Sequence, residues 1–441
     1  MAQPVKSKIK PGGFSSMSNC AIVGINWGDE GKGRMVDLLT SDYDVVVRYQ
    51  GGGNAGHTVV NELGKFALHL LPSGIFRKGV VNILGNGVAL DCENLWTEMQ
   101  DVISKGVSIT PENLKISDRA SLLLPWHRDL DGLEEARLAD KKYGSTKQGI
   151  APFYSDKYQK KTVMAGELLY PDKLWEHLEG ILEWKNLTLE KVYGAKPYTM
   201  DDLRAWVAEY GEKIKPFICD TGAFLRQANK EGKSILFEAQ LGSLRDLDYG
   251  IYPMTTSSNP IAAYAPVGSG YPEAKIDKVV GVVKAYSSCV GEGPFTCEWF
   301  GEEAEKLREA GGEYGAKTGR PRRVGPIDIV ATRYGIQCQG ATDIALTKLD
   351  VLSYLDRIPV CVAYEKADGT RTERFPYTPE LSACKPVYEY LPGWHCDISA
   401  CRRFKDLPQA AQDYVLYCEK QLCCPIPFVS VGAERDQLII R

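Results

Sequence analysis

No stretch of this sequence is apolar over the roughly 18 residues that a membrane-crossing helix needs, so a bilayer-spanning role has no support in it. An excess of positive charge is missing as well. The 441 residues carry 53 Lys and Arg against 57 Asp and Glu, a formal net charge of -4. Nucleic acid and anionic membrane both reward a basic surface, so neither is the expected partner. Cysteines at zinc-site spacing are also lacking. None of the 13 cysteines forms CxxC; the closest are Cys396 with Cys401, Cys418 with Cys423, and the adjacent Cys423 and Cys424. His395 beside Cys396 is a chance neighbour, because a zinc site wants paired short spacings. An odd, scattered set of thiols fits a reducing cytoplasm. Residues 1–19 are polar, broken by Pro and Gly, and lack the apolar core of a secretory signal. They are expected to be a disordered extension. There is no internal repeat, and no linker divides the rest, so residues 20–441 are expected to form one domain.

What is present is an ordinary globular balance, 44% hydrophobic and 25% charged, enough for a large core. Residues 20–25, CAIVGI, read as a short buried strand. A glycine loop follows, then Met35, Val36, Leu38 and Leu39 on one helical face. Residues 43–48, YDVVVR, read as a second strand running into another glycine loop, GGGNAGHT, at 51–58. This is a βαβ unit. Further strand patterns lie at 80–84, 234–237, 279–283, 344–346, 360–363 and 426–430, and helical patterns at 92–105 and 408–422. The charged region 170–232 reads as helical. The expected fold is α/β: a large, mainly parallel central sheet with helices on both faces and helical insertions. Ligands then bind at the carboxyl ends of the strands. The first two strands are expected to be neighbours, which would place Asp29 and His57 in one crevice.

The first loop, GINWGDEGKG at 24–33, has the glycines and lysine of a phosphate cradle. It departs from GxxxxGK[ST]: the spacing is two residues longer, and Gly33 stands where a hydroxyl would hold magnesium. Asp29 could supply a hard oxygen instead. Alone, Asp29 reads as a solvated loop carboxylate and His57 as a hydrogen-bonded loop histidine. Together, on adjacent loops, they suggest a base and an acid. TKLD at 347–350 resembles the [NT]KxD guanine signature. A carboxylate there accepts from the ring N–H and exocyclic amine of guanine, a donor pair that adenine lacks. The lysine stem can lie along the ring. The alternative is a surface Lys and Asp met by chance. GAKTGRPRRVG at 315–325 packs Arg320, Arg322 and Arg323 between glycines. It reads as a solvated charge run, a nucleic-acid contact, or a carboxylate clamp; forked guanidinium geometry favours the clamp. GSTKQG at 144–149 and TTSSNP at 255–260 offer clustered hydroxyls for a second phosphate, or simply turn chemistry.

These motifs together closely resemble the adenylosuccinate synthetases. The matching stretches include WGDEGKG (27–33), YQGGGNAGHT (49–58), LHLLPSGI (68–75), TSSN (256–259), KAYSSCVGEGPF (284–295), GAKTGRPRRVG (315–325), LTKLDVL (346–352) and SVGAERD (430–436). They cover nearly the whole chain after the extension. The resemblance implies a P-loop-NTPase-like fold and a cytoplasmic, Mg²⁺-dependent homodimer. It joins IMP and L-aspartate at the cost of GTP, through 6-phosphoryl-IMP, and gives adenylosuccinate, GDP and phosphate, the committed step from IMP towards AMP. It implies that Asp29 is the general base, His57 the acid, and Lys32 an electrostatic aid to phosphoryl transfer. GTP would be held by Gly28, Glu30, Gly31, Lys32, Gly33, Thr58 and Arg322, with Lys348, Asp350, Ser430 and Gly432 around guanine. IMP would meet Asp29, Asn54, Gly56, Thr146, Thr256, Val290 and Arg320. Aspartate would meet Ala316, Lys317, Thr318, Gly319, Arg320 and Arg322. The Asp29 carboxylate and Gly56 carbonyl would hold Mg²⁺.

Three positions depart from the family. Gly53 replaces the first histidine of GGHNAGHT, with His57 untouched. FEGAQG is FEAQLG here, which puts Leu241 at an IMP-contacting glutamine and leaves Gln240 to substitute after a one-residue shift. Lys160 stands at the arginine that reaches the partner subunit's IMP phosphate. A lysine keeps that charge but loses the bidentate fork.

Overall fold

The computed structural model describes residues 19–61, 64–315 and 319–441. Residues 1–18 lie outside this set, so the expected extension falls there apart from Asn19. The molecule is built on a ten-stranded sheet. Strand β1 (Cys20–Gly24) is 0% exposed at Cys20, Ala21, Ile22 and Val23. Its apolar run is continuous because layers cover both faces. Helix α1 (Lys32–Leu39) follows the glycine loop and leads to β2 (Val45–Arg48).

Across the sheet the order is Leu438–Ile440, Phe428–Ser430, Asp343–Thr347, Lys278–Lys284, β1, Ile235–Gly242, β2, Val81–Leu84, Leu114–Ser117 and Ile218–Cys219. Every neighbouring pair is parallel except the edge strand Leu438–Ile440. The expectation that β1 and β2 are neighbours is corrected. Ile235–Gly242 pairs with both and lies between them. The β1–β2 crossover skips one position, and the later strand fills the gap with the same parallel sense. The loops after β1 and β2 still open on one edge, now flanking the end of Ile235–Gly242.

A second sheet, not anticipated, joins Tyr286–Cys289, Arg323–Asp328, Arg357–Glu365 and Arg371–Thr372, with Lys385–Pro392 paired to Arg357–Glu365. The 360–363 strand pattern belongs there. His57–Asn61 and Gly64–Leu68 form an antiparallel hairpin. The charged 170–232 region is largely helical, with helices at Pro171–Leu187, Met200–Trp206 and Thr221–Lys230. The 92–105 and 408–422 patterns are helices Cys92–Ser104 and Gln409–Leu422. No helix among the described residues is long and apolar enough to cross a membrane.

Candidate active site

The loop from β1 to α1 turns by left-handed backbone at Gly28 (φ 107°), Asp29 (φ 60°) and Gly31 (φ 98°). Asp tolerates this region better than most side chains, yet strain of this kind collects at functional sites. Successive backbone N–H groups in such turns form an anion-binding concavity. Its two carboxylates point opposite ways. Glu30 is buried: Oε1 accepts from the Asn26 and Gly28 N–H groups at 3.1 and 2.8 Å, and Oε2 from Lys32 Nζ at 2.7 Å. Thr347 Oγ1 donates to the Glu30 carbonyl at 2.7 Å, fixing the loop to the strand that enters TKLD. Glu30 therefore braces the cradle from inside; next to it Gly31 is exposed, while Gly33 is buried at the start of α1. The Asp29 side chain is 32% exposed, and Arg322 Nε makes an ion pair with its Oδ2 at 3.2 Å.

Leu241, also left-handed at φ 59°, sits against Gly28 at a bulge where the β1 register shifts. The adjacent Gln240 is buried. Its Nε2 donates to the Gly52 and His69 carbonyls, each at 2.8 Å, and its Oε1 accepts from Gly52 N–H at 3.2 Å. Its amide thus organises the 51–55 loop. Gln50 Nε2 donates to the Gln240 carbonyl at 2.9 Å, and Ser258 Oγ to Gln50 Oε1 at 2.8 Å. Thr256 stands at the end of this chain, its hydroxyl 3.5 Å from Ser258 Oγ. Asn54 Oδ1 is buried without a hydrogen-bond partner. Such orphaned oxygens ask for a ligand or water. Gly56 is exposed. The backbones of His57 and Thr58 open the hairpin; their side chains lie outside the described residues.

Across the edge, Cys289, Val290, Glu292, Gly315, Arg320 and Arg323 line a cleft whose empty space, open solvent included, is about 490 Å³. Val290 is held by Arg245, whose Nη2 donates to its carbonyl. Arg320 is largely exposed, 3.6 Å from Glu292. Gly319 is left-handed and its N–H bonds the Gly315 carbonyl at 2.8 Å. Ala316, Lys317 and Thr318 lie outside the described residues. Arg322 Nη1 donates to Glu313 at 2.9 Å. Around the guanine motif, Lys348 Nζ donates to Glu313 Oε1 at 3.0 Å, and Asp350 Oδ1 is buried with no hydrogen-bond partner. Ser430 Oγ accepts from Arg34 and donates to the Gly432 carbonyl at 3.0 Å. Two residues stand apart from these contacts. Thr146 is exposed, and Lys160 is exposed at the left-handed end of helix Ile150–Gln159. Sequence reasoning missed Glu313, Arg34 and Asp37, which no short motif flags.

A parallel sheet with an anion cradle at its switch point, and open acceptors beside a TKLD turn, defines a nucleotide-binding α/β enzyme. The adenylosuccinate synthetase family model matches residues 21–439. The chain is 45% identical to the adenylosuccinate synthetase of Streptococcus gordonii, covering 96% of this chain and 97% of the relative. It is 47% identical to adenylosuccinate synthetase 2 of Pseudoalteromonas translucida, covering 96% and 100%. The fully ligated adenylosuccinate synthetase of Plasmodium falciparum superposes with a TM-score of 0.89 at 35% identity, over 96% of this chain and 100% of that one. Cyanophage S-2L succinoaminodeoxyadenylate synthetase, 18% identical with a TM-score of 0.60 over 96% and 95%, shares the fold. The chain belongs to the adenylosuccinate synthetase family. It is a GTP-dependent ligase of IMP and L-aspartate.

Proposed function

We propose that this ligase works through 6-phosphoryl-IMP, with Asp29 as the base. The carboxylate takes the N1 proton of IMP, and the charge left on the purine moves to O6. O6 attacks the γ-phosphorus of GTP, and GDP leaves. The aspartate amine then attacks C6, and phosphate departs in place of hydroxide. Lys32 and the loop amides hold the phosphates, and His57 donates on the phosphoryl side. Phosphoryl transfer needs mainly this positioning and charge. The observation that carries the reading is the opposed pair in the cradle: Glu30 is folded inwards, while the Asp29 carboxylate is partly exposed beside Arg322.

No group of three or more His, Cys, Asp or Glu side chains suited to a metal occurs among the described residues. The partly exposed Asp29 carboxylate offers one hard oxygen ligand, which fits Mg²⁺ held by one carboxylate, substrate phosphates and water, as is usual for this ion. Asp29 and the Gly56 carbonyl would hold it, where it would offset the charge between Asp29 and the triphosphate. Gln240 spends its amide on the 51–55 loop, so its part in IMP binding is to shape that loop. Asn54, Thr146, Thr256 and Val290 meet IMP, and the 316–320 segment with Arg322 meets aspartate. Residues 20–441 act as one domain of a cytoplasmic homodimer.

The test is phosphate release from GTP and Mg²⁺ with IMP and aspartate added singly and together. Adenylosuccinate should form only with both. Asp29→Asn should lower turnover at least about a hundredfold, the usual scale for a positioned base, with GTP binding largely kept. Unchanged turnover in that variant would remove Asp29 from the role.

A further inference from the structure

Glu313 is 0% exposed and lies two residues before Gly315. A charge so buried must be paired, and its partners come from three other parts of the chain. Lys284 Nζ donates to Oε1 at 2.7 Å from the end of its strand. The Tyr286 hydroxyl donates from the next strand. Lys348 Nζ donates to the same oxygen at 3.0 Å from TKLD, and also to the Gly311 carbonyl. Arg322 Nη1 takes the other oxygen at 2.9 Å, and its backbone N–H bonds the Glu313 carbonyl at 2.9 Å. Burial alone would raise this carboxyl, but Lys284, Lys348 and Arg322 outweigh it and hold it well below the usual carboxylate range. Three cations therefore meet one carboxylate. The surplus faces Asp29, which Arg322 Nε touches at 3.2 Å.

We propose that Glu313 is a positioning residue that couples the guanine-side Lys348 to the arginine resting on Asp29. This goes a step beyond the reading of Asp29 as base and of 348–350 as the guanine reader, and rests on it. In the structure described, Lys348 is drawn onto Glu313, and Arg322 is shared between Glu313 and Asp29. When Lys348 turns to a guanine ring, Glu313 loses one cation and attracts Arg322 more strongly. The guanidinium then leaves Asp29, which frees the carboxylate for a purine N–H and sets the arginine on the aspartate side. Nucleotide occupancy is thereby passed to the base and to the amino-acid clamp through one buried carboxylate.

The test compares kcat and the separate KM values for GTP, IMP and aspartate in Glu313→Gln and Glu313→Asp. Glu313→Gln should lower kcat and raise the aspartate KM, each by about tenfold, the usual range of coupling between sites, while leaving the IMP KM nearly unchanged. Glu313→Asp, which keeps the charge, should recover most of the loss. At saturating GTP, Lys348→Met, which takes that cation from Glu313 as guanine binding does, should lower the aspartate KM in the native background and leave it unaltered in Glu313→Gln. Native-like constants in folded Glu313→Gln, or independent effects of the two changes, would overturn the proposal. Should Glu313→Gln fail to fold, Arg322→Lys with Lys348→Met carries the test: their effects on aspartate KM must be non-additive, and additivity would overturn it. An unaltered protein that makes no adenylosuccinate sinks the underlying reading, whereas an active one with an indifferent Glu313 sinks only this step.

Discussion

Asp29 and Glu30 are adjacent carboxylates with opposite surroundings, and that contrast is the site's central chemical feature. Glu30 is spent on two loop N–H groups and Lys32; Asp29 meets a guanidinium at a partly open edge. The sequence places both in the loop but cannot say which turns inwards, because backbone φ at 28–31 decides it. Asp328 shows what a third carboxylate does when buried outright. It is 0% exposed, caps helix Ile329–Gln339 through Ala331 N–H at 2.9 Å, and accepts from the Tyr364 hydroxyl at 2.6 Å. Burial raises it to about 6, against these hydrogen bonds. The folded state thus holds its proton through a window, from about pH 4 to 6, in which the unfolded chain has lost it. Stability from this group is full below the window and falls as pH rises through it. Asp328→Asn keeps the cap and cannot ionise. Urea unfolding at pH 4 and pH 6.5 should show the native protein losing about 1–3 kcal/mol more than Asp328→Asn between the two. Equal slopes would mean that Asp328 is ionised throughout.

At the scale of elements, α1 does more than follow the phosphate loop. Its Arg34 donates to Ser430 Oγ and to the Glu434 and Gln437 carbonyls. Its Asp37, only 2% exposed, is held by Arg435 Nε and Nη2, each at 2.8 Å. One helix thereby fixes the phosphate cradle and the 430–437 segment beside TKLD in a single frame. Asp37→Ala should therefore raise the GTP KM several-fold while leaving the IMP and aspartate KM values nearly unchanged. It should also cost about 1–3 kcal/mol, less than a fully buried pair, because Arg435 is partly exposed and can rehydrate. Steady-state kinetics and thermal unfolding of the variant check both halves. Nothing local marks Arg34 or Asp37, since their partners lie some 400 positions away. What was legible were the strands themselves: β1, β2 and the runs at 279–283 and 344–346 announce burial on both faces. Strand order was not, because an apolar run reports burial and not which neighbour covers it. Hence Ile235–Gly242 entered between β1 and β2 unforeseen, and its bulge at Leu241 gave Gln240 a role that motif spacing had left open.

At the scale of the molecule, the remaining question is whether one chain completes its own site. Lys160 is exposed, held at a left-handed helix end (φ 62°), apart from the contacts that join the cradle, the 51–56 loop and Gln240. A side chain so placed makes chemical sense if it serves a second copy, and symmetry then requires that each protomer lend its lysine to the other. Mixing two defective variants separates the possibilities. On the proposed roles, Asp29→Asn lacks the base but offers an intact Lys160, whereas Lys160→Ala keeps the base and should bind IMP poorly. In a randomly reassorted equal mixture, about half the dimers are hybrids, and each hybrid holds one site with both residues intact, so about a quarter of all sites should recover. Assayed at IMP concentrations below the KM of Lys160→Ala, the mixture should exceed the sum of its parents by that margin, and the gain should vanish when the subunits are prevented from exchanging. A mixture no better than its parents, with exchange verified, would place Lys160 in service of its own protomer or of none.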